Sequence, residues 1–401
     1  MTVDEYFLLE PTKNSFQFKK RWWTSIQTGL DGTEQRSSLI TWPRRSITAK
    51  YFAKTYDELN YLKRILFKSL HLTWGIPFWQ DKTTLISQAS SGLKILNVGS
   101  TLYRNFEVGS LCILFQSITS FEVGEIDSFT ETQITLVTNL SSTWPVGTKV
   151  YPLLKSRIEP QQEIDLLDPA RGGIAITSYE EFDEDIERHV PNIDDFDVYL
   201  GLPIFHFKPR HNQLKQILYH PYSHLSFLGK SYKFTHYDET ILPLEGEYVI
   251  IGREMVNQCL DFFDYHKGRW GEFWLPTHQR DIVISEPFDS DDVTFTVEPI
   301  EYPTYWSGKK ASHYVVFQWP DDTLICREIV GASGNTITID SALGIASNSP
   351  NKIIVSFLLL GRFDMDEIEM KMNYSLIEMG FTTLRFLSLL QEPMPIEEES
   401  T

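Results

Sequence analysis

Charged residues at short, regular spacing stand out in "TGLDGTEQRSSLITWPRRSITAKY", residues 28–51. Gly29, Asp31 and Gly32 make a turn. Glu34 and Arg36 then alternate with Gln35, and Pro43-Arg44-Arg45 opens an alternating strand. Alternation on both sides of a turn predicts a β-hairpin. Its charges could form exposed Glu34–Arg36 or Arg44 pairs, which are worth little alone. They could also face an interface, where a guanidinium fork grips a carboxylate of a neighbouring subunit with two parallel hydrogen bonds.

Other chemistry-bearing residues make weaker patterns. His211, His220, His224 and His236 crowd one stretch, and zinc sites draw on His, Cys and carboxylate. Pro221 breaks the helix that would put His220 and His224 on one face, so these read as surface-loop histidines. The pairs Glu180/Glu181 and Asp321/Asp322 have the residue type needed for glycoside hydrolysis, but among 54 acidic residues chance pairs are unavoidable. There is no GxSxG, no P-loop and no GxGxxG after a strand. "DPARGG" from Asp168 reads as a Gly-rich bend. No catalytic residue, cofactor site or metal site is assigned.

Aromatic motifs recur. "WGIPFWQDK" begins at Trp74 and "WGEFWLPTHQRD" at Trp270. Exposed, these rings could stack on a sugar. The plainer reading is a core plug, with Gly allowing a tight turn at a helix exit. Trp74, Gly75, Phe78 and Trp79 would form it in one copy, and Trp270, Gly271, Phe273 and Trp274 in the other.

The elements that must position these motifs repeat as well. "SFQFKK" from Ser15 matches "IFHFKP" from Ile204, and Gly32 matches Gly229. A helix precedes each Trp-Gly. In the first, Thr55 and Glu58 form a capping-box pattern, and Leu59, Leu62, Leu66 and Leu70 recur at helical spacing. In the second, Met255, Cys259, Phe262 and Phe263 share a side. Short strands follow each Trp-Gly, with Phe115, Phe129, Tyr314 and Phe317 filling local cores, and each copy then returns to a long apolar strand. The expected fold is mainly β with one helix per repeat. Two tail-tube-like bodies, β-sandwich or split barrel, each carry a small β-barrel insert. The expected division is 1–81 plus 154–195 for the first body and 82–153 for its insert. The second body is 196–281 plus 358–401, with 282–357 as its insert. "SYEEFDEDIERHVPNIDDFD" reads as an acidic linker, and "EPMPIEEEST" as a frayed tail. Ile368, Met370 and Met372 face one way in a half-buried strand pair near Gly380.

Composition narrows the function. The 401 residues favour more than one domain. The 26 Phe and 18 Tyr, with many Thr, Ile and Val, favour strands over helices. A net charge of −18 argues against holding nucleic acid, which needs Lys and Arg clusters. It suits a surface that repels DNA. No apolar run is long enough to cross a membrane, and the N-terminus lacks the pattern of a signal peptide. Cys112, Cys259 and Cys326, far apart in apolar runs, read as free buried thiols.

The hairpin and Trp-Gly motifs resemble minor tail and distal-tail proteins of long-tailed bacteriophages. The resemblance rests on Gly32-Thr33-Glu34-Gln35-Arg36, on Pro43-Arg44-Arg45, on a helix running into Trp-Gly, and on Phe273-Trp274-Leu275-Pro276 with Asp281. "WPVGTKVYPLL" from Trp144 is similar to how their β insert closes. The second half departs from the pattern, with Lys230 and Lys233 where Glu-x-Arg and Pro-Arg-Arg would stand. The resemblance implies a structural virion protein, made in the host cytoplasm, that is not an enzyme. It would ring a DNA channel between the tail tube and the tip or hub. Its partners would be copies of itself, as a pseudo-six-fold trimer or a hexamer, and the tube and tip proteins. DNA would only pass through, and the protein would bind no membrane by itself. Two rivals remain at this level: a carbohydrate- or receptor-binding module, and a cell-wall hydrolase.

Overall fold

The computed structural model describes residues 3–12, 15–181, 186, 188–227, 229–298, 301–373 and 379–389. The tail after residue 391 and part of the acidic linker lie outside them.

The first half runs β1 (Phe16–Arg21), β2 (Thr24–Thr28), β3 (Glu34–Ser38), β4 (Arg44–Ala53), α1 (Tyr56–Ser69) and β5 (Trp74–Pro77). Its insert holds β6 (Ile95–Asn97), β7 (Leu111–Ser117), β8 (Ser120–Thr130) and β9 (Gln133–Leu136). It closes with β10 (Lys149–Ile158), β11 (Ile164–Asp168) and β12 (Arg171–Glu180). The second half runs β13 (Pro209–Gln216), β14 (Ser223–Phe227), β15 (Lys230–Phe234), β16 (Leu244–Ile251), α2 (Arg253–Tyr265) and β17 (Phe273–Pro276). Its insert holds β18 (Thr294–Thr296), a one-turn α3 (Tyr302–Tyr305), β19 (Tyr314–Gln318), β20 (Leu324–Ser333) and β21 (Thr336–Ile339). It closes with β22 (Ile354–Phe363), β23 (Glu367–Asn373) and β24 (Met379–Ser388).

The fold is mainly β, and each antiparallel pairing among these strands of the first half recurs in the second. β1 pairs with β4, β4 with β12, and β12 with β10 and β11. β10 also pairs with β5 and β7, and the row continues through β8 and β9 to β6. The hairpin β2–β3 stands apart. In the same order, β13 pairs with β16, β16 with β24, and β24 with β22 and β23. β22 pairs with β17 and β19, the row runs through β20 and β21 to β18, and β14–β15 stands apart.

Local sequence explains these elements. β4 alternates, sending Arg45, Ile47, Ala49, Tyr51 and Ala53 inward, and β16 does the same. β22 is buried on nearly every residue, as expected of a strand covered on both faces. Thr55 caps α1 by accepting from Glu58 N at 3.2 Å. α2 begins after Gly252 (φ 92°) without a side-chain cap. Cys259, Phe262 and Phe263 are buried on α2, whereas Met255 is exposed, contrary to expectation. Ile368 and Met370 are fully buried, as their spacing predicts.

One apolar core spans both halves, from Phe7 to Phe386, while each insert has its own cluster. The insert clusters draw on residues from Leu85 to Val150 and from Ile282 to Phe357, while Leu111, Ile113, Tyr151 and Leu153 join the main core. Phe317 fills one of them, but Phe115 belongs to the main core, Phe129 is exposed and Tyr314 is half-buried. The expected small barrels are not closed ladders among the described residues. At the first seam stand a two-residue ladder of Thr83–Thr84 with Lys149–Val150 and the single bridges Leu85–Val98 and Ala89–Trp144, and at the second the single bridges Ile282–Val355, Ile284–Val297 and Phe288–Ser347.

The hydrogen bonds also correct the motif alignment. Phe7 N donates to Gly75 O at 3.1 Å, and Phe205 N donates to Trp274 O at 2.8 Å. Pro11 faces Tyr51, and Pro209 faces Tyr248. The segment from Phe205 therefore corresponds to the one from Phe7, not to "SFQFKK". Likewise Trp74-Gly75-Ile76-Pro77 corresponds to Phe273-Trp274-Leu275-Pro276. Trp270-Gly271 sits in the turn before the strand. The glycines there do different work. A Cβ on Gly75 would meet the Tyr6 ring at 2.7 Å, and one on Gly271 would meet His266 at 2.7 Å.

Candidate functional site

The halves join along one strand pair. β1 lies antiparallel to β23, with Phe16 opposite Met372, Lys19 opposite Glu369 and Arg21 opposite Glu367. Sequence explains the polarity of this seam: β1 is basic and β23 acidic. Lys19 Nζ lies 3.0 Å from both Glu367 Oε1 and Glu369 Oε2.

Beside the seam, hairpin β2–β3 docks on the second half. Arg36 donates to Trp270 O at 2.9 Å and to Glu272 Oε1. Arg362 donates through Nε and Nη2 to the two oxygens of Glu34, both at 2.7 Å. Glu34 and Arg36 also approach each other at 3.7 Å. The chain of charges Arg362–Glu34–Arg36–Glu272 alternates in sign, and every member's side chain is at most 8% exposed. Burial alone would lower the Arg362 pKa; the bonds to Glu34, aided by Asp364, outweigh it and hold the group above its ordinary value.

Two further aspartates hold the junction beside the hairpin, and at its far side Arg253 of α2 donates to Asp81 Oδ1 at 2.7 Å. Asp366 accepts from Thr24 N at 3.0 Å, Thr24 Oγ1 at 2.8 Å, Arg269 N at 3.0 Å and Arg269 Nη2 at 3.1 Å. Partial burial raises its pKa, but these donors pull it below the usual carboxylate value. Asp264 accepts from Lys20 Nζ at 2.5 Å and Trp22 Nε1 at 3.0 Å. This arrangement is a set of paired, largely buried charges. It locks a strand and a hairpin of one body onto the next with charge-assisted bonds.

The sequence-predicted residues divide as follows. Glu34 and Arg36 do meet ionic partners across an interface, but the partner is the second half of the same chain. Arg45 is buried and forks between Glu107 of the insert, at 2.7 and 3.0 Å, and Glu180 of β12, at 2.9 and 2.5 Å. Burial opposes its charge, yet the two carboxylates raise its pKa well above the ordinary value. Glu180 and Glu181 thus belong to β12 and its exit, not to a linker. Arg44 is exposed at the strand's end, opposite Arg21, and is not drawn into the junction.

The aromatic motifs fill the core. Trp74, Phe78, Trp79, Phe273 and Trp274 are at most 2% exposed. Phe78 meets Phe16 and Phe18 edge-on, and Trp79 meets Phe115 and Tyr151. Their rings offer no sugar platform. Trp270 is only half-buried, with Lys267 Nζ 5.0 Å above its ring. His211, His220, His224 and His236 are exposed, and the three cysteines are buried and free. Burial pushes the Cys112 and Cys259 thiols up to about 12. Asp168 lies in the β11–β12 turn, accepting from Ala170 N at 2.8 Å.

Sequence reasoning missed Glu272, Arg362, Asp366 and Asp264. One signal was available: Arg362 interrupts the apolar run "IVSFLLLGRF", and a cation inside a buried strand demands a partner. The chain matches no protein-family model and no curated protein.

Proposed function

We propose that this chain is a structural component of a bacteriophage tail, at the distal tail or hub, forming a ring around the DNA channel. The observation that carries the reading is the repeated pairing scheme. Two bodies of like topology sit side by side and join edge to edge through β1 and β23. Bodies joined in this way can be repeated around an axis, and three chains would supply six such bodies around a passage. A net charge of −18 fits a wall that DNA passes without sticking. On this reading the protein works through assembly rather than catalysis, and its neighbours are the tail tube and tip proteins.

The test is the mass of the assembled species by native mass spectrometry, with symmetry from negative-stain images. Rings of three chains with pseudo-six-fold symmetry, or of six, are expected. A chain that stays monomeric with and without purified tail-tube protein would sink the reading.

A further inference from the structure

We propose that β13 of one copy pairs antiparallel with β11 of another copy, repeating between chains the junction that β1 and β23 make within one. The inference rests on the junction geometry and the matched pairings, and it gives the ring reading a specific interface.

The equivalence can be followed residue by residue. Phe18 faces Ile47 across β1–β4, and Gln216 faces Leu244 across β13–β16. Ile47 and Leu244 face Ser178 of β12 and Phe386 of β24. Phe18 therefore corresponds to Gln216, and Phe16 to Leu214. On the other side, Met372 faces Gly380 and Leu166 faces Gly172, while Gly380 and Gly172 face Ile250 and Ala53. Met372 therefore corresponds to Leu166. Within the chain Phe16 lies opposite Met372. The matching contact between chains puts Leu214 opposite Leu166 and Lys215 opposite Asp165.

Both edges are open. Among the described residues β11 pairs only with β12, and β13 only with β16. Unpaired edge strands are templates for pairing with another chain. Their charges match as at the internal seam: β13 carries Arg210 and Lys215, and β11 carries Asp165 and Asp168.

The surroundings match too, in apolar form. The hairpin β14–β15 is exposed throughout, including Leu225 and Phe227. Across the seam Leu166, 60% exposed, would stand opposite Leu214, and Phe67, 96% exposed, would stand near Leu218, which is 74% exposed and holds the place of Lys20. Phe67 occupies the place on α1 that Asp264 holds on α2, where Asp264 receives Lys20 and Trp22 from β1 and its exit. Apolar surface on both sides of this seam favours an occupant with this chain's own chemistry.

Singly substituted chains carrying Leu214→Cys and Leu166→Cys, mixed and oxidised, test the register, because directly opposed strand residues lie within disulfide reach. A mixed covalent dimer is expected, and far less product with Leu167→Cys, which is out of register and on the other face. Self-association followed by light scattering tests the charges. Lys215→Asp or Asp165→Lys alone sets like charges opposite each other and should weaken it roughly tenfold. An equimolar mixture of the two variants should recover association, because wherever the two species alternate an acid again stands opposite a base, at every seam of a six-chain ring and at two of the three seams of a three-chain ring. Cross-linking through Leu167→Cys as readily as Leu166→Cys, association indifferent to both charge changes, or no association at any concentration would overturn the edge pairing. Rings that ignore these variants would overturn it while leaving the ring reading intact. In-register pairs that grow into open filaments would do the reverse.

Discussion

The two hairpins occupy the same place in the two halves and meet opposite fates. β2–β3 buries Glu34 and Arg36 against the second half, whereas all ten positions of β14–β15 face solvent. The strands beside them differ in the same way: β1 is sandwiched between β4 and β23, and among the described residues β13 pairs with β16 alone. Position in the repeated scheme therefore does not decide what a hairpin holds. The partner does. Charges suit the internal seam because its partner is always present and fixed. An ionic network buried against a permanent partner keeps register, while a single loss from it leaves an uncompensated charge.

That difference can be broken most severely at Arg362. Arg362→Ala strands Glu34 beside Arg36 with its bidentate partner gone. The expected loss is about 3–5 kcal/mol of stability in chemical denaturation. Replacing both partners, as Glu34→Leu with Arg362→Met, leaves Arg36 paired with Glu272 and should cost much less. Lys230→Ala on the exposed hairpin should change stability by no more than about 0.5 kcal/mol. If the Arg362 variant also lost less than that, the junction would not be held by this network.

Asp366 gives the next effect and a pH signature. Asp366→Asn should cost about 1–3 kcal/mol at neutral pH, because Thr24 and Arg269 lose a charged acceptor. Its pKa in the folded chain lies below the ordinary 3.8. The stability it contributes is therefore fully present above that value and lost as pH falls through the folded value. Denaturation midpoints measured from about pH 5 to pH 3 should converge for the parent chain and the variant. Parallel curves over that range would remove Asp366 from the account.

Much of this architecture was legible in the sequence, and the exceptions have physical causes. Alternation in β4 and the 3.6-residue spacing in α1 report burial on one face, so these elements and the mainly-β class could be read directly. The free buried cysteines could be read in the same way. The register of the two halves could not. Trp-Gly and Phe-x-Phe are short words that recur by chance in an aromatic-rich chain, and hydrogen bonds aligned different residues. Glu34 and Arg36 carried the right chemistry, but sequence cannot say whether a carboxylate comes from another chain or from more than two hundred residues away. Arg45 looked like part of the same device because it is adjacent, yet strand alternation turns it inward to Glu107 and Glu180 while Arg44 points out.

The smallest expected effect sharpens the comparison at the hairpin tips. Gly32 (φ 88°) and Gly229 (φ 72°) both adopt the left-handed backbone. Alanine at either position pays that conformational cost, on the order of 1 kcal/mol. At Gly229 an added Cβ meets nothing within 4 Å. At Gly32 it would stand 2.6 Å from Cε1 of Tyr237, on the segment that follows β15. Gly32→Ala should therefore cost more than Gly229→Ala, by the work of moving the Tyr237 ring. Equal losses in thermal denaturation would mean that the first hairpin's tip is as free as the second's. Docking would then reside in the strands β2 and β3 and not extend to the turn.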